Sequence, residues 1–427
     1  MELNGLSIDQ APPISAPLRF FLTAPLFGVL AGIFIFFSST DILVSRYSID
    51  AVIITHAITI GFFAFIMLGS LTQMLPVLAS AKIPKVGVVS LSSYLLLTFG
   101  LLFMIFGLEL DVKFLITLSY LGLGSGFLLM ISAIIYSIKD VKNFTATIRG
   151  MLASLIFAFM IVIMGMALLY EYAINSISEY HYIIANIHSV WAIFGFSGLL
   201  VIGVSFQVLP MFYVAPRFKQ FCKQKVVWLI SIGLVLWLFL NLFLDEYALV
   251  GKFWIALFFW AFATTVWLKL NKRKRPISDV TVWYWRSASI FLTLGSFLWI
   301  FDEFFKHEYI VMVAILIGGG FILSIMIGML YKIVPFLVWF HLNGKGYMSI
   351  PTMNEMINKN LAKLQFGLFI FSLIGFIFAF YMPHLLEIAA ICFIVSMTIL
   401  EYNILSVALI YKKILKGKPD FDMSQFK

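Results

Sequence analysis

Residues 56–76 read HAITIGFFAFIMLGSLTQMLP, and this stretch decides how the chain is built. It is apolar enough to cross a membrane as a helix, yet it opens on a histidine and closes on Gln-x-x-Pro. Two further stretches share its plan: HSVWAIFGFSGLLVIGVSFQVLP at 188–210 and ILIGGGFILSIMIGMLYKIVP at 315–335. Counted back from the proline, glycines fall at the same two places in all three: Gly61 and Gly69, Gly195 and Gly203, Gly320 and Gly328. The residue three before the proline is polar each time, as Gln73, Gln207 or Lys332.

The rest of the chain supplies the setting. Of 427 residues, 62% are hydrophobic and 11% charged, against about 25% charged in soluble domains. Apolar runs recur that are long enough to cross a hydrocarbon layer of about 30 Å as helices. The alternating segments of about ten residues that a β-barrel needs are absent. The expectation is an all-α polytopic membrane protein forming one membrane domain over 1–427, with the lipid bilayer as its surroundings. Twelve spans are expected, near 18–38, 51–79, 86–108, 113–138, 146–170 and 183–214. The other six are near 225–244, 248–270, 281–302, 309–340, 362–382 and 385–411.

A net charge of +9 would ordinarily raise nucleic acid as a partner. Its distribution removes that reading. The N-terminal segment, the even-numbered loops and the C-terminal tail hold 23 of the 29 Lys and Arg. The odd-numbered loops hold four: Arg46, Lys113, Lys252 and Lys306. The positive-inside rule then places both termini in the cytoplasm, in an inner (cytoplasmic) membrane. The basic runs NKRKRP (271–276) and YKKILKGK (411–418) read as stop-transfer anchors at that face. Cys222 falls in a loop and Cys392 in the last span, so no disulfide is expected. The first eighteen residues lack a basic n-region, so no cleaved signal peptide is expected.

The three motif prolines, at 76, 210 and 335, make each motif the second span of a four-span unit. The units run over about 18–138, 146–270 and 281–411. Because four is even, they share one orientation, which predicts a pseudo-threefold arrangement with spans 2, 6 and 10 equivalent. Each proline removes an N–H and frees a carbonyl four residues earlier, on Thr72, Phe206 or Tyr331. Gln73, Gln207 and Lys332 lie beside those carbonyls and either patch the kinks, pair between helices, or line a path. The paired glycines admit either a neighbouring backbone or a flat cofactor. Lys332 lies within a span, where an ammonium costs about 2.5–3.5 kcal/mol on insertion scales. It requires snorkelling, a buried partner, or a role in proton or anion passage.

Five of the six histidines fall at one membrane level, opposite the termini: His56, His181, His188, His307 and His384. His56 and His188 sit within equivalent spans at similar depth, which marks them as candidate metal or heme-iron ligands. Their offsets from the proline differ, 20 residues against 22, so the positions are not strictly equivalent. Hydrogen-bonded structure is the plainer reading for His181, His307 and His384. Asp302, Glu303 and Glu308 form an acidic rim that reads as an ordinary solvated loop. No Walker loop, HExxH, CxxC or nucleophile elbow is present.

Twelve spans with both termini inside, three four-span units, and histidines in spans 2 and 6 resemble the heme–copper oxidase subunit I superfamily, most nearly its divergent NnrS-like members. The resemblance implies a heme ligand at His56 and a copper or second iron ligand at His188, with His384 a further candidate. It implies roles in nitric oxide or oxygen binding, stress response or respiration. A diatomic gas would be the ligand, and an electron donor or partner subunit is left unidentified. The departures are large. Span 7 lacks a histidine where the oxidases bind copper, and span 10 lacks any within the bilayer. A full oxygen-reducing centre cannot be assembled, so conventional cytochrome oxidase activity is not expected. The competing function class is a transporter or channel for protons, metal or small anions, using Lys332, Gln73, Gln207 and the kinked spans.

Overall fold

The computed structural model describes residues 12–79, 81–139, 141, 143–274, 279–305 and 308–421, with the side chains of 78–79 excepted, and the backbone of 2–3 and 6–7. His307 and Lys306 lie outside the described residues. Apart from a two-residue antiparallel pairing of Glu2–Leu3 with Leu6–Ser7, the chain is helical. Among the described residues, twelve helices are long and apolar enough to cross a membrane. Spans 1 to 4 are Ser15–Phe37, Ile49–Val77, Val86–Glu109 and Lys113–Ile138. Spans 5 to 8 are Ala146–Ala173, His181–Tyr213, Gln220–Phe243 and Asp245–Asn271. Spans 9 to 12 are Val280–Phe305, Ile310–Asn343, Lys359–Phe378 and Leu385–Ile414.

Four helix starts are fixed by side chains that accept from otherwise orphaned N–H groups. Ser48 caps span 2, Thr145 span 5, Asp279 span 9 and Asn358 span 11. Spans 2, 6 and 10 form the interior. Their apolar windows are 61%, 78% and 67% buried, and no other span exceeds 50%. Span 2 packs between spans 1 and 3, span 6 between 5 and 7, and span 10 between 9 and 11. Span 4 lies against span 5, span 8 against span 9, and span 12 returns to span 1.

The paired glycines are packing devices. Each interior span contains a π-helical stretch, Ala57–Ala64, Trp191–Gly198 or Ile315–Leu323, and holds its first motif glycine there. In each, a phenylalanine from the preceding span lies on that glycine. A Cβ added at Gly61 would sit 2.4 Å from Phe27 Cγ, at Gly195 2.7 Å from Phe157 Cγ, and at Gly320 2.4 Å from Phe291 Cγ. The second glycine permits close approach as well: Gly203 meets Gly150 backbone to backbone, and Gly328 lies beneath Tyr284.

Several polar residues have partners that the linear sequence does not disclose. Lys332 is buried and its Nζ donates to Asp279 Oδ2 at 2.5 Å, tying span 10 to the start of span 9. Burial pushes the Asp279 carboxyl up, but the Lys332 ammonium and hydrogen bonds from Lys332, Thr281 and the Val282 N–H hold it below the usual range. Gln73 patches nothing: both its amide atoms are buried without a partner among the described residues. The acidic rim is not simply solvated. Asp302 is buried and accepts from the Tyr309 N–H at 2.7 Å, and Glu303 pairs with the buried Lys252. Spans 9 to 12 are further locked by Gln365, which accepts from Tyr284 and Tyr331 hydroxyls and donates to Ser396.

Candidate metal centre

His56 and His188 come together. Their ring centroids are 6.3 Å apart, with 31° between ring planes. His56 ends the first helical segment of span 2, just before its π-helical stretch, and His188 lies three residues before that of span 6. Each ring is held from behind. Nδ1 of His56 lies 2.7 Å from the Val52 carbonyl oxygen, one turn earlier in its own helix. Nδ1 of His188 lies 3.0 Å from the Ile161 carbonyl oxygen of span 5. A carbonyl only accepts, so Nδ1 carries the proton in both rings. The neutral tautomer then leaves the Nε2 lone pair of each free, the form in which histidine binds metal. A carbonyl behind the ligating ring is also the usual second support of a metal-bound histidine.

The spacing suits one ion between the rings. Two imidazole nitrogens about 2.1 Å from a shared first-row metal, with ring centres about 1.1 Å further back, place the centroids about 6.4 Å apart. Among the described residues, no group of three or more His, Cys, Asp or Glu is arranged to hold a metal. A closed tetrahedral site is therefore not assembled. Two protein ligands suffice for an ion whose other positions are filled by a macrocycle, or for a two-coordinate one.

The pair faces a cavity of about 480 Å³, within the range of small-molecule and cofactor sites. Glycines open its walls. At Gly165, an added Cβ would lie 3.0 Å from His188 Cε1, so the glycine lets the ring settle closer to span 5 than a side chain would without a shift. At Gly318 an added Cβ would meet nothing within 4 Å, and Gly319 lines the same space. Two of the three consecutive glycines of span 10, Gly318 and Gly319, thus line the cavity without side chains, whereas Gly320 is covered by Phe291. Near one end of the cavity, Arg46 donates to Tyr47 Oη, to Asn186 Oδ1 at 3.3 Å and to Ser189 Oγ at 3.5 Å. These partners are all neutral, and no carboxylate pairs with this guanidinium among the described residues.

The other expected site residues lie elsewhere. His384 is exposed at the start of span 12 and does not line the cavity. His181 lines it, but its Nδ1 is 2.5 Å from Glu171 Oε2, and the other oxygen of that carboxylate, Oε1, accepts from Ser178. His341 is fixed at the other face by the carbonyls of Leu337 and Pro12, each 3.0 Å away. Gln73, Gln207 and Lys332 lie beside the motif prolines of their spans and do not line this cavity. Arg46, Gly165 and the π-helical stretches were not singled out from sequence. Only Arg46 carried a signal, as the sole basic residue of the first loop. No family model and no curated protein matches the chain.

Proposed function

We propose that His56 and His188 hold one metal centre between them, and that this centre is heme iron. The observation that carries the reading is the pair of Nδ1-anchored imidazoles, their centroids 6.3 Å apart, on a cavity of cofactor size. The residues fit the group. His56 and His188 would offer ligand nitrogens from spans 2 and 6, the open space at Gly318 would leave room for a flat ring, and the unneutralised Arg46 would suit an acidic edge. When bound, heme would supply an iron that cycles between two oxidation states and can bind a diatomic gas. The chain's own part is to fix both imidazole tautomers and surround them with apolar side chains.

This reading keeps the resemblance to divergent heme–copper oxidase subunit I proteins of NnrS-like type. It places the chain in the inner membrane with both termini cytoplasmic, in nitric oxide or oxygen binding, stress response or respiration. It also takes the architecture as three four-helix units around a pseudo-threefold axis. The matching glycine–phenylalanine contacts at Gly61, Gly195 and Gly320 support that plan. The partner set differs from a full oxidase, because span 10 supplies glycine in place of ligands. A transport path through Lys332 has less support, since Asp279 neutralises the ammonium such a path would use.

The test is the absorption spectrum of the purified protein. An intense Soret band that is lost in His56→Ala and altered in His188→Ala is expected. A colourless, iron-free protein that takes up no added heme refutes the reading.

A further inference from the structure

A second cavity lies on the same three interior spans, towards the termini. It holds about 50 Å³, and five of its sixteen lining residues are methionines: Met67, Met74, Met151, Met326 and Met329. Methionine makes up 19 of the chain's 427 residues, and only two of the 54 residues lining the larger cavity. The concentration is local. Methionine ordinarily serves to fill irregular gaps, as Met166 does where it presses on Gly124. Here five of them border a space that they leave open.

Their placement is regular. Met67, Ser70, Leu71 and Met74 follow the i, i+3, i+4, i+7 pattern of one helical face, and Met326 and Met329 share a face of span 10. Met151 comes from span 5. No carboxylate, histidine, cysteine or charged side chain lines the cavity. One of its two serines is committed elsewhere, Ser205 Oγ donating to the Ile202 carbonyl at 2.7 Å. The volume suits a single ion or a water or two, and the lining offers water few polar partners. Neutral, polarisable thioethers disfavour hard divalent cations and select a soft monovalent one.

The two cavities are stacked. The larger one reaches Ala64, Ser197 and Leu323, and the smaller one begins at Ile66, Leu200 and Ile325. On each helix the gap is two or three residues, about 3–4.5 Å of rise. An ion at the near end of the larger cavity is within one helical turn of Met67 and Met326.

We propose that the inner cavity is a Cu(I) site with thioether ligands drawn from Met67, Met74, Met151, Met326 and Met329, reached through the larger cavity. It is separate from the histidine pair and stands whether or not that pair holds heme. The test uses the full chain in detergent micelles, titrated with Cu(I) kept reduced by ascorbate against a chromogenic Cu(I) chelator, with copper X-ray absorption identifying the ligand atoms. Expected is one Cu(I) per chain with sulfur scattering, retained in H56A/H188A and lost in M67L/M74L/M326L/M329L. Leucine conserves side-chain volume, and size-exclusion chromatography checks that the variant is intact. If the fourfold variant aggregates, the single changes M67L and M326L must each weaken Cu(I) binding. Uptake with sulfur scattering that survives the methionine changes overturns the proposal, as does no sulfur-bound copper in H56A/H188A. Heme absorbance is read separately, so failure of the heme reading and failure of this one are distinguishable.

Discussion

Gly165→Ala tests whether the backbone of span 5 sets the position of His188. The new Cβ would lie 3.0 Å from His188 Cε1, and ordinary contact requires the ring to retreat by at least about 0.4 Å. The ring is not free to do so. Its Nδ1 donates to the Ile161 carbonyl at 3.0 Å, one turn before Gly165 on the same helix. A retreat of that size along the bond stretches it to about 3.4 Å, outside the usual 2.7–3.2 Å range. Loss of a ligand's supporting hydrogen bond typically costs about 10–100-fold in affinity. Heme titration followed by absorbance should therefore show Gly165→Ala binding about 10–100-fold more weakly, with shifted bands. Gly367→Ala, where an added Cβ meets nothing within 4 Å, is the control and should match the unaltered protein. Wild-type affinity and spectrum in Gly165→Ala, alongside loss in His188→Ala, would falsify the positioning argument.

The same reasoning reaches other sites. Gly61→Ala drives a Cβ against Phe27 Cγ and should cost about 1–3 kcal/mol by overpacking, read as a lower unfolding midpoint in micelles. Asp279→Asn strands the buried Lys332 and should destabilise by about 3 kcal/mol or less, the carboxylate being 39% exposed, while D279N/K332M recovers most of the loss. Because the folded Asp279 carboxyl lies below its ordinary value, its stabilisation is fully present above about pH 3.9 and disappears as pH falls through the lower folded value. Asp279→Asn should therefore flatten the acid limb of the stability curve, and an unchanged limb contradicts the ion pair. Gln365→Leu leaves the Tyr284 and Tyr331 hydroxyls without their shared acceptor and should cost about 1–3 kcal/mol. H188V/V190H keeps the number of histidines but should lose the paired-ligand spectrum; retention of that spectrum refutes the facing geometry.

The twelve spans and the kinship of spans 2, 6 and 10 were legible because hydropathy and a repeated glycine–proline spacing are properties of the chain itself, whereas the burial of those three spans shows only in the packed bundle. The purpose of those glycines was half legible. Spacing marked a close approach, but Phe27, Phe157 and Phe291 lie 34, 38 and 29 residues earlier, at offsets that fix no obvious register. Lys332 was visible as an anomaly, while its partner was not, since Asp279 sits in a loop 53 residues away and reads as an ordinary helix cap. The π-helical stretches had no sequence signature. Each coincides with a tertiary contact, an aromatic ring from the preceding span lying on a glycine of the stretch. His384 shared its level with the pair but not its direction, and level was all that counting from a boundary provides.

The unequal offsets of the two histidines, a puzzle in the linear sequence, follow from the proposed threefold plan. Residues at equivalent positions on helices related by rotation about an axis point in the same rotational sense, both clockwise or both anticlockwise. Two such side chains cannot face each other across the gap between neighbouring helices. To meet, one must be turned round its own helix by roughly half a circle. His56 precedes the first motif glycine by five residues and His188 by seven. At about 100° per residue, two residues amount to about 200°. The inequivalence is what brings the rings together, and Val190, the true counterpart of His56, should carry an imidazole away from the pair.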